Sequence, residues 1–175
     1  MRELLTASNG FYAFESALHV LPSGESAEHM TLQQWNSATL WRDTYGELAE
    51  GCDFFAEDIF GDQFCFKNDR IFRFDAETGE TKHLANSVEE WCEKLLRDWS
   101  EITGHRLAHE WQACHGALHP GVRLVPRTAF VLGGEYSLSN LLATDAIKGM
   151  RARGAIARQL RGLPNGTRIQ FNVVD

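Results

Sequence analysis

The sequence predicts an α+β fold with a mainly antiparallel sheet flanked by helices. Three observations predict it: short phenylalanine-rich segments follow one another through the centre of the chain, amphipathic helices come after them, and an alternating segment closes the sequence. The chain has 175 residues, of which 43% are hydrophobic. This size and composition are typical of one folded domain, so we expect a single domain over residues 1–175.

The central sheet is predicted from four strand-like segments. In the first three, the alternating apolar residues are Phe54 and Ala56, Phe64 and Phe66, and Phe72 and Phe74. Such alternation is typical of strands with one buried face. Asn68-Asp69 falls between the second and third segments, where a two-residue hairpin turn is expected. A fourth strand follows at Thr81–Ala85, and residues Thr167 to Val173 alternate as a C-terminal strand.

The clearest helix begins after Ser87, which forms an S-x-x-E capping box with Glu90, and it ends at Gly104. Its apolar stripe consists of Val88, Trp91, Cys92, Leu95, Trp99 and Ile102. A stripe of this kind faces the core, so Trp91 and Trp99 are predicted to be largely buried.

Three other helices are predicted from shorter patterns. One covers residues 31–45 and ends at Gly46. The next runs from Arg106 to Cys114, with Leu107, Trp111 and Cys114 pointing inward. The last runs from about Asp145 to Leu160 and stops at Gly162. An apolar stretch, Phe11 to Val20, lies between turn signals near the N-terminus.

The sequence shows no sign of export or membrane insertion. It lacks a run of about 20 apolar residues, and its first residues contain no apolar signal segment. We therefore expect a cytoplasmic protein without a membrane partner. The four cysteines lie far apart and form no C-x-x-C pair, which favours free thiols.

Charge is distributed unevenly along the chain. Residues 1–100 include 19 acidic and 8 basic residues, for −11, and residues 101–175 include 5 acidic and 9 basic residues, for +4. A strongly acidic half disfavours a nucleic-acid partner, because phosphate binding needs a clustered positive surface. It favours a basic protein partner instead.

Seven acidic residues and no basic residue lie between Asp43 and Asp62. The candidate partner-binding residues in this run are Glu47, Glu50, Asp53, Glu57 and Asp62. Strand alternation places Glu57 opposite Phe54 and Ala56 and predicts that it is exposed, whereas Asp58 shares their phase and is expected to be structural. An ordinary solvated face is the alternative interpretation. Six bases between Lys148 and Arg168 are interpreted as the exposed surface of a helix.

The best candidates for a catalytic centre are the histidines at positions 105, 109, 115 and 119. His105 and His109 share one helical face, as zinc ligands often do, but the motif H-E-x-x-H is absent. Both are expected to be exposed and unpaired, opposite the apolar stripe of their helix. The acids of EDIFGD have no nearby histidine in the sequence. The chain also lacks a G-x-S-x-G elbow and a phosphate loop. We therefore expect no catalytic residue, no cofactor and no bound metal.

Several segments are similar to those of a known family. They are FFAEDIFGDQFCF, FDAETGE and the helix start ANSVEEWCEKLL, followed by RLVPRTAFVLGGEYSLSNL, MRARGAIARQL and LPNGTRIQFNV. Together they resemble the SUKH superfamily, which includes the Smi/Knr-type cell-wall regulators of yeast. The resemblance covers most of residues 9–174 and implies an α+β domain. Many bacterial members are immunity proteins that bind and neutralise toxins, often nuclease or deaminase domains, and the family offers no catalytic residues.

Three functional hypotheses follow. The first is a non-catalytic protein-binding domain, an immunity protein that neutralises a cognate bacterial toxin by binding a basic toxin domain. The second is a regulatory or scaffold module of the same fold that binds a cellular protein. The third is a metal-dependent hydrolase that uses the His105–His119 region. The lack of a catalytic motif and the acidic half of the chain favour the first.

Overall fold

The computed structural model describes residues 8–24, 30–164 and 166–167. Within them, six strands form one antiparallel sheet in the order β1-β2-β3-β4-β5-β6, and β7 pairs with β8. The strands are β1 (Phe11–Ala13), β2 (Leu18–Val20), β3 (Asp53–Asp58), β4 (Gln63–Lys67), β5 (Arg70–Phe74), β6 (Thr81–Ala85), β7 (Val122–Pro126) and β8 (Leu141–Asp145). The α-helices are α1 (Leu32–Trp35), α2 (Val88–Thr103), α3 (His105–His115) and α4 (Ala146–Leu160). The predicted α+β class with a mainly antiparallel sheet is confirmed.

Strands β3 to β6 follow the predicted segments closely. Asn68 and Asp69 connect β4 to β5 with φ values of 50° and 58°, as a two-residue type I′ turn requires. The apolar N-terminal stretch forms the hairpin β1-β2, which joins the sheet beside β3. The strand predicted from Thr167 to Val173 lies outside the described residues, apart from its first residue.

Helix α2 begins and ends where the sequence predicts. The Ser87 hydroxyl accepts a hydrogen bond from the Glu90 N–H at 3.2 Å. The Glu90 carboxylate accepts from the Asn86 N–H at 2.8 Å, so the return bond of the capping box reaches one residue further back than expected. Gly104 ends the helix with φ 70°, a conformation that glycine adopts without steric cost.

The apolar stripes of α2 and α3 are only partly buried. Trp91 is buried, as predicted, but Trp99 is half-buried and stacks on Phe14 with ring centroids 5.1 Å apart. In α3, Leu107 is buried, whereas Cys114 is exposed and the prediction that it points inward is wrong. The buried residues of α3 lie in its first turn, so Cys114 extends beyond the packed part of the helix.

The segment 31–45 is not one helix, contrary to the prediction. Helix α1 ends at Trp35, and 3₁₀-helices follow at Arg42–Thr44 and Gly46–Ala49. The Asn36 side chain donates to the Phe54 carbonyl at 2.7 Å and accepts from the Phe54 N–H at 2.9 Å. These two hydrogen bonds join the residue after the end of α1 to the backbone of β3. The end of the helix therefore coincides with a tertiary contact, which the hydrophobic periodicity of the sequence does not predict.

The central sheet is buried on both faces. On one face, the core cluster includes Trp35, Trp41, Tyr45, Phe54, Phe74 and Met150. On the other face, it includes Val20, Ala56, Phe64, Ile71 and Trp91. A bulge in β3 lies between Phe54 and Ala56, and these two residues belong to opposite clusters. Simple alternation therefore fails along β3, since a bulge reverses the phase of the strand.

The four cysteines are free thiols, as predicted, with Cys52 and Cys65 buried. In the described part of the chain, no helix has both the length and the apolar character needed to cross a bilayer.

Candidate partner-binding pocket

The five acidic residues predicted to bind a partner do not form one surface. Glu47, Glu50 and Asp53 are exposed, Asp62 is half-buried, and Glu57 is buried. Asp53 begins β3 and Asp62 follows its end. At about 3.3 Å per residue, the strand separates its two ends by roughly 17 Å. The acidic run is therefore spread along the strand.

Glu57 is a structural residue, so the prediction that it is exposed is wrong. Its Oε1 lies 2.8 Å from Nη2 of Arg123 and 3.1 Å from Nδ1 of His19, and all three side chains are almost fully buried. Burial by itself raises the pKa of Glu57, but Arg123 and His19 together lower it to about 2. The bulge in β3 explains the error, because it breaks the alternation on which the prediction depends.

The Glu57 ion pair belongs to a larger buried network. Gln63 donates to the second carboxylate oxygen of Glu57 at 3.3 Å and accepts from the Trp35 indole N–H at 2.8 Å. The ring of Tyr12 stacks on His19, with centroids 4.1 Å apart. The network connects the edge of the sheet with α1 and β7, and the Glu57 carboxylate is satisfied inside the fold.

The basic C-terminal half of the chain packs onto the acidic half. Besides the Arg123 pair, Arg161 lies 2.8 Å from the carboxylate of Glu47. Arg153, which the sequence places on an exposed helix surface, is buried and donates to the carbonyl of Phe60. Part of the uneven charge is therefore neutralised within the molecule and is not available to a partner.

A pocket of about 530 Å³ opens beside the turn between β3 and β4, and we call it the acidic-aromatic pocket. Its carboxylates are Asp62, Asp75, Glu77 and Glu101, and its aromatic rings are Phe60, Phe130 and Tyr136. The guanidinium groups of Arg73 and Arg153 also line it. Four carboxylates against two guanidinium groups make the lining acidic.

One guanidinium in this lining is already paired. Arg73 donates to Asp58 at 2.6 Å and to Asp62 at 3.0 Å. Asp58 is fully buried and also accepts from the N–H groups of Phe60 and Asp62, at 2.9 and 3.0 Å. Asp58 is thus structural, as predicted, although the strand phase is not the reason, since both faces of β3 are buried. Because Asp58 and Asp62 share Arg73, they fix the β3–β4 turn and leave the other carboxylates without that partner.

Asp75 and Glu77 line the pocket and form no salt bridge with any described residue. Asp75 accepts from the N–H groups of Glu77 and Thr78, at 2.8 and 2.9 Å. One oxygen of Glu77 accepts from the Val131 N–H at 2.8 Å. Its other oxygen, Oε1, is buried and has no hydrogen-bond partner among the described residues. Burial raises the pKa of both carboxyls, although the positive charge of Arg153 partly offsets this effect at Glu77.

The aromatic side of the pocket is a stacked pair on a tight loop. Phe130 and Tyr136 stack with centroids 3.8 Å apart and planes at 6°, and Phe60 meets Phe130 edge-on at 5.5 Å. Tyr136 is 64% exposed. Gly134 makes this close loop possible, because a Cβ at that position would overlap the carbonyl oxygen of Thr128. The loop therefore presents an accessible ring beside the carboxylates.

The arrangement is suited to a cationic side chain. A guanidinium or ammonium group can form charge-assisted hydrogen bonds with a carboxylate and can lie against the face of an aromatic ring. Val131 and Leu132 are exposed next to the pocket, and exposed apolar and aromatic residues around a polar centre are typical of protein interfaces.

The sequence identifies only Asp62 of this pocket in advance. Asp75 and Glu77 belong to FDAETGE, whose aspartate-threonine-glycine pattern indicates a turn after β5. That signal predicts two carboxylates at the end of an aromatic strand. It does not reveal that Tyr136, about sixty residues later, completes the pocket.

The histidines of α3 are not unpaired, contrary to the prediction. Nε2 of His105 and Nδ1 of His109 lie 3.1 and 2.8 Å from the same carboxylate oxygen of Glu15. His109 is exposed, whereas the side chain of His105 is only 16% exposed. Their partner belongs to the β1–β2 turn, about ninety residues earlier in the chain. His115 and His119 are exposed and do not join this group.

Comparison with known proteins identifies a similar fold and gives no information about function. No protein-family model matches the chain, and no curated protein matches it. The chain is similar to the crystal structure of Atu4351 from Agrobacterium tumefaciens, with a TM-score of 0.57 over 88% of this chain and 73% of that chain. The two sequences are 10% identical, so the similarity shows a shared fold and nothing about function.

Proposed function

We propose that this protein is a non-catalytic protein-binding domain of the cytoplasm, and that it acts as an immunity protein which neutralises a bacterial toxin by direct binding. The acidic-aromatic pocket is the centre of its contact surface. One observation carries the proposal: Glu77 Oε1 is buried in the lining of the pocket without a hydrogen-bond partner among the described residues. A basic side chain of the partner supplies the missing donor.

The chemistry of the pocket favours arginine or lysine as the entering group. A buried, unpaired carboxylate is unfavourable in the free protein, because burial without a partner costs free energy. A guanidinium that enters beside Glu77 and Asp75 removes this cost and can stack on Tyr136. Removal of this cost therefore contributes to the free energy of binding a basic partner.

The exposed acids outside the pocket have a separate role in this proposal. Glu50 and Asp53 are exposed, and charges at such positions act mainly on the rate of association. Salt screens them over a Debye length of about 8 Å at physiological ionic strength. Neutralising Glu50 and Asp53 together should therefore slow capture of the toxin at low salt and have little effect on its dissociation.

The resemblance to the SUKH superfamily supports the choice of a toxin as the partner. It applies to the same segments that build the pocket, since FDAETGE contains Asp75 and Glu77, and LGGEYS contains Tyr136. A regulatory module that binds a cellular protein through this pocket is the alternative, and it predicts no protection against a toxin.

Co-expression with toxin domains encoded beside the gene tests the proposal. The wild-type protein should restore growth and form a complex with one of them. Glu77→Gln should weaken that complex about 30-fold or more, because loss of a buried charged partner at an interface costs about 2 kcal/mol or more. Tyr136→Ala should weaken it as well.

Glu93→Gln provides the matched control, because it is the same substitution at an exposed position on α2 outside the pocket. It should protect as the wild type does. If Glu77→Gln and Tyr136→Ala protect as well as the wild type does, the pocket is not part of the contact surface. If no neighbouring toxin binds, the immunity function is wrong.

A further inference from the structure

The turn between β1 and β2 and the first turns of α3 bring three metal-ligating side chains together. The donor atoms of Glu15, His105 and His109 all lie within 4.8 Å of one another. We propose that these residues form a binding site for one divalent transition-metal ion, with Zn²⁺ as its occupant. The site lies outside the acidic-aromatic pocket, and the proposal does not depend on the proposed function.

The donor set has the chemistry that zinc prefers. Two imidazole nitrogens and one carboxylate oxygen are common zinc ligands, and three protein ligands leave a position for water. Tetrahedral zinc holds such donors about 3.3 Å apart. The carboxylate oxygen of Glu15 is now 3.1 Å from His105 Nε2 and 2.8 Å from His109 Nδ1. These two distances need to lengthen by roughly 0.2 and 0.5 Å to match that separation. The two histidine nitrogens lie within 4.8 Å of each other, and they would have to come to about the same separation around the ion.

The spacing of the ligands explains why two of them already converge. His105 and His109 are four residues apart on α3, so their side chains lie on the same helical face. Their rings are 5.8 Å apart and within 24° of parallel. In the metal-bound state, His105 Nε2 and His109 Nδ1 carry no proton, and each imidazole keeps its proton on the other ring nitrogen.

The third ligand is held in place by its backbone. Phe14, Glu15 and Ser16 have φ values of 53°, 51° and 66°. Residues other than glycine rarely adopt this left-handed backbone conformation. The Gln112 side chain donates to the Glu15 carbonyl at 2.8 Å and so fastens this turn to α3. The backbone of Glu15 is therefore fixed beside the two histidines, and preorganised ligands favour metal binding.

Access and detection are both favourable at this site. The side chains of His109 and Glu15 are 60% and 52% exposed, so an ion can reach them from solvent. The indole ring of Trp99 lies 4.4 Å from the His105 ring. A paramagnetic ion at the site should therefore quench the fluorescence of Trp99.

Isothermal titration calorimetry tests the proposal: the 175-residue chain is treated with a chelator, the chelator is removed, and Zn²⁺ is titrated in. We expect saturable binding of one ion per chain. Glu15→Gln and His109→Ala should each lower the affinity about tenfold or more, because even residues that only orient metal ligands contribute that much. His119→Ala is the control, since His119 is exposed and lies outside the cluster. Its affinity should equal that of the wild type.

Co²⁺ provides the second measurement. It should quench tryptophan fluorescence in the wild type, and Trp99→Phe should lose most of the quenching while it retains Zn²⁺ affinity. Circular dichroism checks that each variant remains folded. The proposal is wrong if the wild type shows no saturable binding, if Glu15→Gln and His109→Ala bind as the wild type does, or if His119→Ala loses as much affinity as they do.

Discussion

Replacing Glu57 by glutamine tests whether the buried ion pair stabilises the fold. The variant leaves Arg123 buried, with Nε already lacking a hydrogen-bond partner among the described residues. The pKa of Glu57 is about 2, against an ordinary value of 4.5, and this gap corresponds to about 3 kcal/mol. Removing one member of a buried pair typically costs about 3–5 kcal/mol. We therefore expect Glu57→Gln to lose about 3 kcal/mol of unfolding free energy at pH 7.

The pH dependence follows from the sign of the change in pKa. Folding lowers the pKa of Glu57, so its contribution is fully present above pH 4.5 and is lost as the pH falls toward 2. The difference between wild type and variant should shrink to less than half of its pH 7 value at pH 3. Urea unfolding, followed by tryptophan fluorescence at both pH values, measures it.

A double variant and a surface variant complete this test. Glu57→Gln with Arg123→Met removes both charges, so its stability should recover to within about 1 kcal/mol of the wild type. Glu50→Gln, at an exposed position, should change stability by less than about 0.5 kcal/mol. A loss below about 1 kcal/mol for Glu57→Gln, or a loss that does not change with pH, would refute the reasoning.

Three further predictions concern stability. Burial raises the pKa of Glu77 above its ordinary value of 4.5, so its charge opposes folding as the pH rises. In urea unfolding, Glu77→Gln should therefore be more stable than the wild type at pH 7, and the gain should disappear as the pH falls below 4.5; a variant no more stable than the wild type at pH 7 would contradict this. Trp91→Ala should cost about 3–5 kcal/mol and Trp99→Ala clearly less, since only Trp91 is fully buried; equal losses would contradict this assignment. Gly134→Ala should cost about 2 kcal/mol in thermal unfolding, because its Cβ would meet a backbone carbonyl; an unchanged melting temperature would show that the loop can move.

Much of the fold is predictable because its signals are local. The strands β3 to β6, the Asn68-Asp69 turn and the capped start of α2 each depend on residues within a few positions of one another. Hydrophobic periodicity, turn preference and capping act over that range, so the sequence alone determined these elements and the α+β class. Helix α4 likewise lies close to its predicted range.

The candidate sites depend on contacts between distant parts of the chain, and only the tertiary structure decided them. Glu57 is interior because a bulge shifts β3 and because helices cover both faces of the sheet. Glu77 becomes a pocket residue because the loop that carries Val131 and Tyr136 completes the lining and Val131 donates to its carboxylate. Glu15 meets His109 across about ninety residues. Periodicity reports which face of an element is apolar, but the partner of a charged side chain is set by packing, which has no local signature in the sequence.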